Sequence, residues 1–220
     1  MSEKQGNSAI KCPYLLLCEG VDEYYFLITY LNNYLIKQNP ACDNIEVRDF
    51  GGNEELEKYL KSLSKMDGFE KVNSIAVIRD AEKDCNAAKE SLERIFCSID
   101  KEIKNVLSEE PYYLLPHKNG SCWQNGTLED LCIKILKDNA DDALSAKKLK
   151  EHAEAYAAHI EADRKRPLIR KHKNLLHTYL SGTDKYVGMK IGEAAKSGCF
   201  DWESNVLADL KNFILTLVKD

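Results

Sequence analysis

The sequence has 220 residues, of which 44% are hydrophobic and 30% are charged, and its formal net charge at pH 7 is −5. This composition is that of a globular protein with its own core, and the acidic balance argues against a general nucleic-acid coat protein but not against a local basic stretch. The eight cysteines include no C-x-x-C pair, and no apolar run approaches a membrane span, so we expect a cytoplasmic, non-membrane protein with reduced thiols and no zinc site or disulfide framework.

The first predicted strand is the uninterrupted apolar stretch from Tyr14 to Cys18, which ends at Glu19 and Gly20. A short apolar run bounded by a glycine is typical of a strand that is covered on both faces in a parallel sheet. Helix, strand, helix and strand patterns then follow over residues 22–37, 45–50, 54–65 and 72–78. This β-α-β-α-β order predicts a doubly wound parallel sheet with right-handed crossovers.

The rest of the chain is predicted to be mostly helical, with one more strand over residues 111–116 and a polar loop over residues 117–126. The predicted helices cover residues 87–106, 127–136, 142–162, 188–199 and 205–218. We therefore predict an α/β fold with a mostly parallel sheet of about four strands and helices on both faces. Residues 12–138 form this core in the prediction, and residues 139–220 form a helical C-terminal extension that packs on it.

Glu19 follows the first strand directly, at the edge where open α/β sheets bind their ligands. A glutamate there is poorly explained by packing, because Glu is almost never fully buried unless it is paired. In one interpretation its carboxylate accepts hydrogen bonds from the N-terminus of the next helix. In the other it is a metal ligand or a general base, and further carboxylates at the same edge would favour that interpretation.

A second acidic stretch, DAEKD at residues 80–84, follows the third strand. In an extended chain Asp80 and Glu82 point the same way, and such like charges are costly together unless a cation lies between them. Hard carboxylate oxygens suit Mg²⁺ or Mn²⁺. In the alternative interpretation Asp84 caps the following helix and the other two side chains are solvated.

Glu129 is a further carboxylate, in the first turn of a helix that Thr127 and Asp130 are predicted to cap as a box. As a structural residue Glu129 complements the helix dipole, and as a functional residue it could reach the same cation; the sequence favours neither interpretation.

Six positive charges fall within ten residues of the C-terminal half. They belong to Arg164, Lys165, Arg166, Arg170, Lys171 and Lys173. A solvated charged face is one interpretation of this segment. A track that binds the phosphate backbone of a nucleic acid is the other, and binding by such a track would weaken steeply with salt.

Three motifs together resemble those of Toprim domains. The segment CEGVDE at 18–23 is similar to their strand that ends in Glu-Gly, and DAEKD at 80–84 is similar to their Asp-x-Asp-x-Asp motif, with glutamate in the middle position. The segment GTLEDL at 126–131 resembles the Gly-x-Leu-Glu segment of small Toprim-like proteins related to the nucleases of the OLD (overcoming lysogenization defect) group. The resemblance covers residues 14–136 in order and spacing.

This resemblance implies metal-dependent phosphodiester chemistry on nucleic acid, with Mg²⁺ or Mn²⁺ as the cofactor. It implies that Glu19 is a general acid/base or metal ligand and that Lys173, or alternatively Lys171, stabilises charge on the transferred phosphate. The implied metal ligands are Glu19, Glu23, Asp80, Glu82, Asp84 and Glu129. OLD-type proteins pair an ATPase with the Toprim unit, and the sequence lacks a P-loop, so any ATPase would be a separate partner protein.

Two functions of other classes also fit the sequence. One is a non-catalytic module that binds nucleic acid or a nucleotide and keeps the acidic residues for a structural ion. The other is an interaction protein whose helical C-terminal half docks a partner, with the carboxylates acting only as helix caps.

Overall fold

A four-stranded parallel sheet forms the centre of the molecule in the computed structural model, which describes residues 9–119, 122–138, 142 and 144–219. Its strands are β1 (Tyr14–Cys18), β2 (Ile45–Asp49), β3 (Ser74–Asp80) and β4 (Leu107–Leu115), arranged in the order β2-β1-β3-β4. Every neighbouring pair is parallel. The strands with continuous apolar runs, β1 and β3, are the two inner ones, because both of their faces are buried.

Ten α-helices are found among the described residues, and a π-helical turn over Leu31–Leu35 joins the first two. They are α1 (Val21–Tyr30), α2 (Ile36–Gln38), α3 (Leu56–Leu63), α4 (Cys85–Ser98), α5 (Lys101–Lys104), α6 (Leu128–Lys134), α7 (Ala146–Arg164), α8 (Lys171–Ser181), α9 (Ile191–Lys196) and α10 (Ala208–Leu217). Short 3₁₀ helices cover Pro40–Asn44, Asn53–Glu55, Phe69–Lys71 and Asn205–Leu207. An antiparallel pair, β5 (Lys118–Asn119) and β6 (Cys122–Trp123), follows β4.

Alternate residues of the inner strands contribute to two hydrophobic cores, one on each face of the sheet. Leu17 and Val77 pack with α3, α4 and α5 on one face. Cys18 and Ile78 pack with α1, α6 and the C-terminal helices α8, α9 and α10 on the other. Each fully buried aliphatic side chain contributes roughly 1.5–3 kcal/mol. The predicted α/β fold with four parallel strands and helices on both faces is confirmed.

The C-terminal helices therefore share a core with the sheet. Helix α9 approaches α1 closely at Gly192, where a Cβ atom would lie 2.5 Å from the Cβ of Tyr25. Helix α7 packs outside α8 through Leu149 and Ala153. This packing holds α8 beside α6, and that position matters for the site described below.

Several boundaries differ from the sequence prediction. The helix predicted over residues 87–106 is two helices, α4 and α5, because the chain is extended at the buried Ile99. Strand β4 begins before Pro111, which an edge strand tolerates because one side of it needs no ladder hydrogen bond. Helix α1 begins at Val21, one residue before the predicted start, with Gly20 as its N-cap.

Parts of the predicted loop over residues 117–126 and of the predicted C-terminal extension, namely residues 120, 121, 139–141, 143 and 220, lie outside the described residues. No helix among the residues that the structure describes is both long and apolar enough to cross a membrane.

Candidate functional site

The carboxyl ends of β1 and β3 lie side by side and bring the first two acidic stretches to one edge of the sheet. Cys18 is paired with Ile78, so Glu19 leaves β1 next to the point where Arg79 and Asp80 complete β3. Helix α1 starts directly after Glu19, and α6 reaches the same edge through a hydrogen bond to Asp80. The topology therefore places four elements around one small region.

Asp80 is the last residue of β3 and is buried, with 8% of its surface exposed. Its Oδ1 accepts a hydrogen bond of 2.9 Å from the backbone N–H of Leu128. Burial raises the pKa of Asp80 well above its usual value, and the charges of Glu23, Glu19 and Glu129 raise it further. One hydrogen bond is thus too little to stabilise the ionised form in the absence of a cation.

Glu19 and Glu23 lie on either side of the turn from β1 into α1. The Oε2 atom of Glu19 is buried and has no hydrogen-bond partner in the described part of the chain. Burial raises the pKa of Glu19, and the nearby Arg79 guanidinium partly opposes this. Burial also raises the pKa of Glu23 to about 7, with further contributions from Glu19 and other carboxylates. A Cβ at Gly20 would lie 3.0 Å from Glu23 Oε2, so the glycine leaves room for this carboxylate.

Glu129 differs from these three residues because it has a direct cationic partner. It is 4% exposed, and its Oε1 lies 3.1 Å from the Nζ of Lys173 on α8. Burial would raise the pKa of Glu129, but hydrogen bonds from the Thr127 hydroxyl and the Glu129 backbone, together with Lys173, lower it overall. Burial would likewise lower the pKa of Lys173, and its interactions with Glu129 and Asp80 raise it instead.

We refer to Glu19, Glu23, Asp80 and Glu129 as the acid cluster. Glu19, Glu23 and Glu129 all raise the pKa of Asp80, and Glu19 and Glu129 also raise that of Glu23, which shows that the four carboxylates share one electrostatic environment. Across the residues with described positions, no three His, Cys, Asp or Glu side chains converge closely enough to form a finished metal site.

Glu82 and Asp84 are exposed and are not buried with the acid cluster, although the charge of Glu82 raises the pKa of Glu19. The expectation of an extended chain fails at Glu82, which has a φ of 56°. Its backbone forms two hydrogen bonds of 2.8 Å with Gly126, and its side chain is exposed. Asp84 is the N-cap of α4, and its Oδ1 accepts hydrogen bonds of 3.0 Å from the backbone N–H groups of Asn86 and Ala87. The helix-cap interpretation therefore describes the position of Asp84 in this structure.

Arg79, which precedes Asp80 on β3, is a component of the site that was not among the residues predicted from the sequence. It is 4% exposed, and its Nε and Nη1 atoms have no hydrogen-bond partner in the described ranges. Burial lowers the pKa of Arg79, and the charges of Glu19, Asp80 and Glu82 act against that effect. The sequence signal for Arg79 was its position near the end of an apolar inner strand. Burying an arginine there is costly, so a functional role is indicated.

Residues 164–171, which we call the basic turn, connect α7 to α8. Glu161 organises it, because its Oε1 accepts 2.9 Å from the backbone N–H of Leu168 and its Oε2 lies 2.7 Å from the Nζ of Lys171. Lys171 is thus ion-paired with Glu161, although it is exposed. Four other basic side chains are exposed and form no ion pair with any residue whose position is described: Arg164, Lys165, Arg166 and Arg170. Lys173 follows on α8 and links the basic turn to the acid cluster.

The capping box predicted for α6 is confirmed, with the backbone N–H of Thr127 donating 2.9 Å to Asp130 Oδ2. This cap sets the first turn of α6, where Leu128 contacts Asp80 and Glu129 enters the acid cluster.

One family of proteins matches this chain over residues 13–219, and its description is "Protein of unknown function (DUF3226)". Because the match spans nearly the whole sequence, the chain belongs to this family. No curated protein and no solved structure matches the chain.

Proposed function

We propose that this member of the DUF3226 family is a Toprim-type, metal-dependent enzyme of phosphodiester chemistry, most simply a nuclease. The acid cluster carries this proposal. It combines four carboxylates at the carboxyl edge of a parallel sheet with a buried Glu19 oxygen that has no partner. The three Toprim-like motifs support the same interpretation, since two supply Glu19 and Asp80 and the third supplies Glu129.

The chemistry of the acid cluster fits a hard divalent cation. Carboxylate oxygens are the ligands that Mg²⁺ and Mn²⁺ prefer, and Mg²⁺ sites in proteins commonly use only one or two carboxylates plus substrate phosphates. The raised pKa values of Asp80, Glu19 and Glu23 indicate that the protein alone stabilises their ionised forms poorly. These three residues and Glu129 would hold the ion, and Glu82 and Asp84 lie outside this set. A bound Mg²⁺ would supply a polarised water and stabilise negative charge on phosphate oxygens.

The chain's own residues provide the remaining requirements of the reaction. Glu19 lies at the edge of the acid cluster with a free carboxylate oxygen, which suits a metal ligand or a base that takes a proton from water. The Lys173 ammonium has three donors and uses one on Glu129. Its side chain is 44% exposed, so the other donors can reach the phosphate of a substrate. We therefore assign Lys173 to charge stabilisation on the phosphate.

The basic turn is the surface proposed to hold the nucleic-acid backbone. Its four unpaired cations, Arg164, Lys165, Arg166 and Arg170, lie in a chain whose net charge is −5. A local excess of exposed positive charge attracts a polyanion by counterion release. A separate ATPase remains the proposed protein partner.

The decisive experiment is calorimetric titration of the metal-free protein with Mn²⁺ and, separately, with Mg²⁺. We expect binding by the wild type and at least a tenfold loss of affinity in Asp80→Asn, since a ligand charge is removed. Asp84→Asn is the matched control, because it removes an acidic charge four residues away while asparagine still caps the helix. If neither ion binds, alone or together with an oligonucleotide, the proposal is wrong.

Cleavage of labelled DNA and RNA oligonucleotides by the same proteins then separates an enzyme from a binding module. For an enzyme, Glu19→Gln abolishes turnover and leaves salt-sensitive nucleic-acid binding intact. The non-catalytic module is favoured by the position of Glu82, which is exposed to solvent rather than buried with Asp80. Metal binding without cleavage of any oligonucleotide would identify that module.

A further inference from the structure

We propose that the basic turn recognises single-stranded nucleic acid, with the Ile169 side chain placed against an unstacked base and the surrounding arginines on the flanking phosphates. This inference deepens the proposed function by naming the substrate class, and it rests on that proposal.

Ile169 is the most exposed of the large hydrophobic residues in the described ranges, with 74% of its surface in contact with solvent. The others are between 37% and 58% exposed. Single exposed hydrophobic residues are common on proteins and need no explanation by themselves. Ile169 differs because it lies between two groups of exposed cations, with Arg164, Lys165 and Arg166 before it and Arg170 after it. An apolar tip with cations on both sides matches a nucleotide, which has an apolar base face and charged phosphates.

The basic turn is held in one conformation before any partner arrives. Glu161 binds both the backbone N–H of Leu168 and the ammonium of Lys171, on the two sides of Ile169. Pro167 removes further backbone freedom because its ring restricts φ. Leu168 is half-buried and anchors the turn. A rigid contact surface loses little conformational entropy on binding, which favours affinity for a specific ligand.

The position of the basic turn relative to the acid cluster indicates how a strand would lie. Arg170 is the N-cap of α8 and Lys173 is three residues further on, which corresponds to about 4.5 Å along the helix axis. Because Arg170 and Lys173 both lie at the start of α8, one strand can reach both, with one phosphate at the turn and another at Lys173. The base at Ile169 would lie next to the linkage at the acid cluster.

A single strand fits this surface better than a duplex does. Inserting an apolar side chain into a stacked duplex costs a few kcal/mol per base step, which proteins recover by bending the DNA over a large contact surface. The basic turn offers one isoleucine and four cations, which is too small an area for that. In a single strand the base faces are already accessible, so an apolar side chain such as that of Ile169 can contact one without the cost of unstacking. A lipid surface is disfavoured because an interfacial anchor needs an extended apolar helix face, and the turn has a single apolar tip.

The test is fluorescence anisotropy of a labelled twelve-nucleotide DNA strand and of the corresponding hairpin duplex, with the full chain in EDTA so that no cleavage occurs. We expect tighter binding of the single strand and a loss of about tenfold in Ile169→Ser, with the salt dependence unchanged because no charge is removed. Duplex binding should change less than twofold. Val187→Ser is the matched control, because Val187 is 58% exposed outside the basic turn. Both residues are exposed, so neither substitution removes core packing.

Equal single-strand affinity of wild type and Ile169→Ser would overturn the inference, and so would an equal loss for strand and duplex or no binding to either. A loss of binding to anionic phospholipid vesicles, without any effect on oligonucleotides, would overturn it in favour of a membrane surface. The proposed enzyme fails separately: Ile169-dependent binding in a protein that binds no Mn²⁺ would support this inference and contradict catalysis. Metal-dependent cleavage, together with strand binding that does not change in Ile169→Ser, would support the proposed enzyme and contradict this inference.

Discussion

The acid cluster and the basic turn hold charges of opposite sign in opposite ways. In the acid cluster the charges are buried or half-buried and shift one another's pKa values, so they are coupled to the stability of the fold. In the basic turn the cations other than Lys171 are exposed and form no ion pair with a described residue, so they affect the fold little and respond to salt. The buried carboxylates require a small cation that can enter the protein as their counterion. The exposed cations can instead bind a large polyanion at the surface. Lys173 contacts the first region and belongs to the helix that starts at the second.

The largest expected effect is a decrease in the stability of the metal-free protein as the pH rises. The pKa of Glu23 is raised from 4.5 to about 7, and those of Glu19 and Asp80 are also raised. A raised pKa contributes stability that is complete below the unfolded value and is lost as the pH rises through the folded value. The free energy of unfolding should therefore fall between pH 4.5 and about pH 7, by roughly 2 kcal/mol for Glu23 alone after allowance for its partial exposure.

Urea denaturation in EDTA at a series of pH values measures this decrease. Glu23→Gln should flatten the profile and stabilise the protein at pH 8, whereas Glu151→Gln, on the exposed face of α7, should leave it unchanged. The lowered pKa of Glu129 gives the opposite pH dependence of stability, but the stabilisation it contributes is lost only as the pH falls below 4.5. Stability that increases from pH 5 to pH 8 without metal would contradict the electrostatic account of the acid cluster.

A smaller effect, an increase in metal affinity, is expected when Arg79 is replaced. Its buried guanidinium lies among the carboxylates of Glu19, Asp80 and Glu82 and repels an incoming divalent cation. Arg79→Gln should therefore increase the affinity for Mn²⁺ by about tenfold, which corresponds to about 1.4 kcal/mol. Calorimetric titration measures this, with Arg94→Gln on the exposed face of α4 as the control. Weaker binding by Arg79→Gln would show that Arg79 orients Glu19 rather than competing with the ion.

Asp84 should affect stability without affecting the metal. It caps α4, a helix of 14 residues, through hydrogen bonds to two backbone N–H groups. Asp84→Ala should cost about 1 kcal/mol of unfolding free energy, and Asp84→Asn much less. Thermal denaturation and Mn²⁺ titration of both variants test this. A large loss of metal affinity in Asp84→Asn would place Asp84 in the metal site after all.

The smallest effects are expected in the basic turn, where each cation is exposed. Arg164→Gln and Arg170→Gln should each weaken binding of a DNA strand modestly and reduce the slope of log affinity against log salt by about 0.7. The fold should be unaffected, since neither side chain has a described ion pair. Lys148→Gln, near the other end of α7, is the control, and an equal effect there would show that the chain binds nucleic acid by general charge alone.

Part of the candidate site could be predicted because its signals are local. Glu19 and Asp80 follow buried strands whose apolar runs are visible in the sequence, and parallel strands deliver their carboxyl ends to one edge. The position of Glu129 follows from the capping box of Thr127 and Asp130. Glu82 could not be placed in this way. Its left-handed φ of 56° accompanies backbone hydrogen bonds to Gly126, which is 44 residues away in the chain, and period-two alternation takes no account of such a contact.

The amino-acid sequence by itself determined the four strands, the inner positions of β1 and β3, and the delivery of two acidic stretches to one sheet edge. These follow from apolar periodicity, which reports how each segment is buried. Only the tertiary structure determines which charged side chains lie close to one another. Packing of α8 against α6 brings Lys173 to Glu129, and the covering of β3 on both faces buries the Arg79 Nε and Nη1 atoms without a hydrogen-bond partner among the described residues. Electrostatic neighbours are set by contacts between distant segments, and no local pattern encodes them.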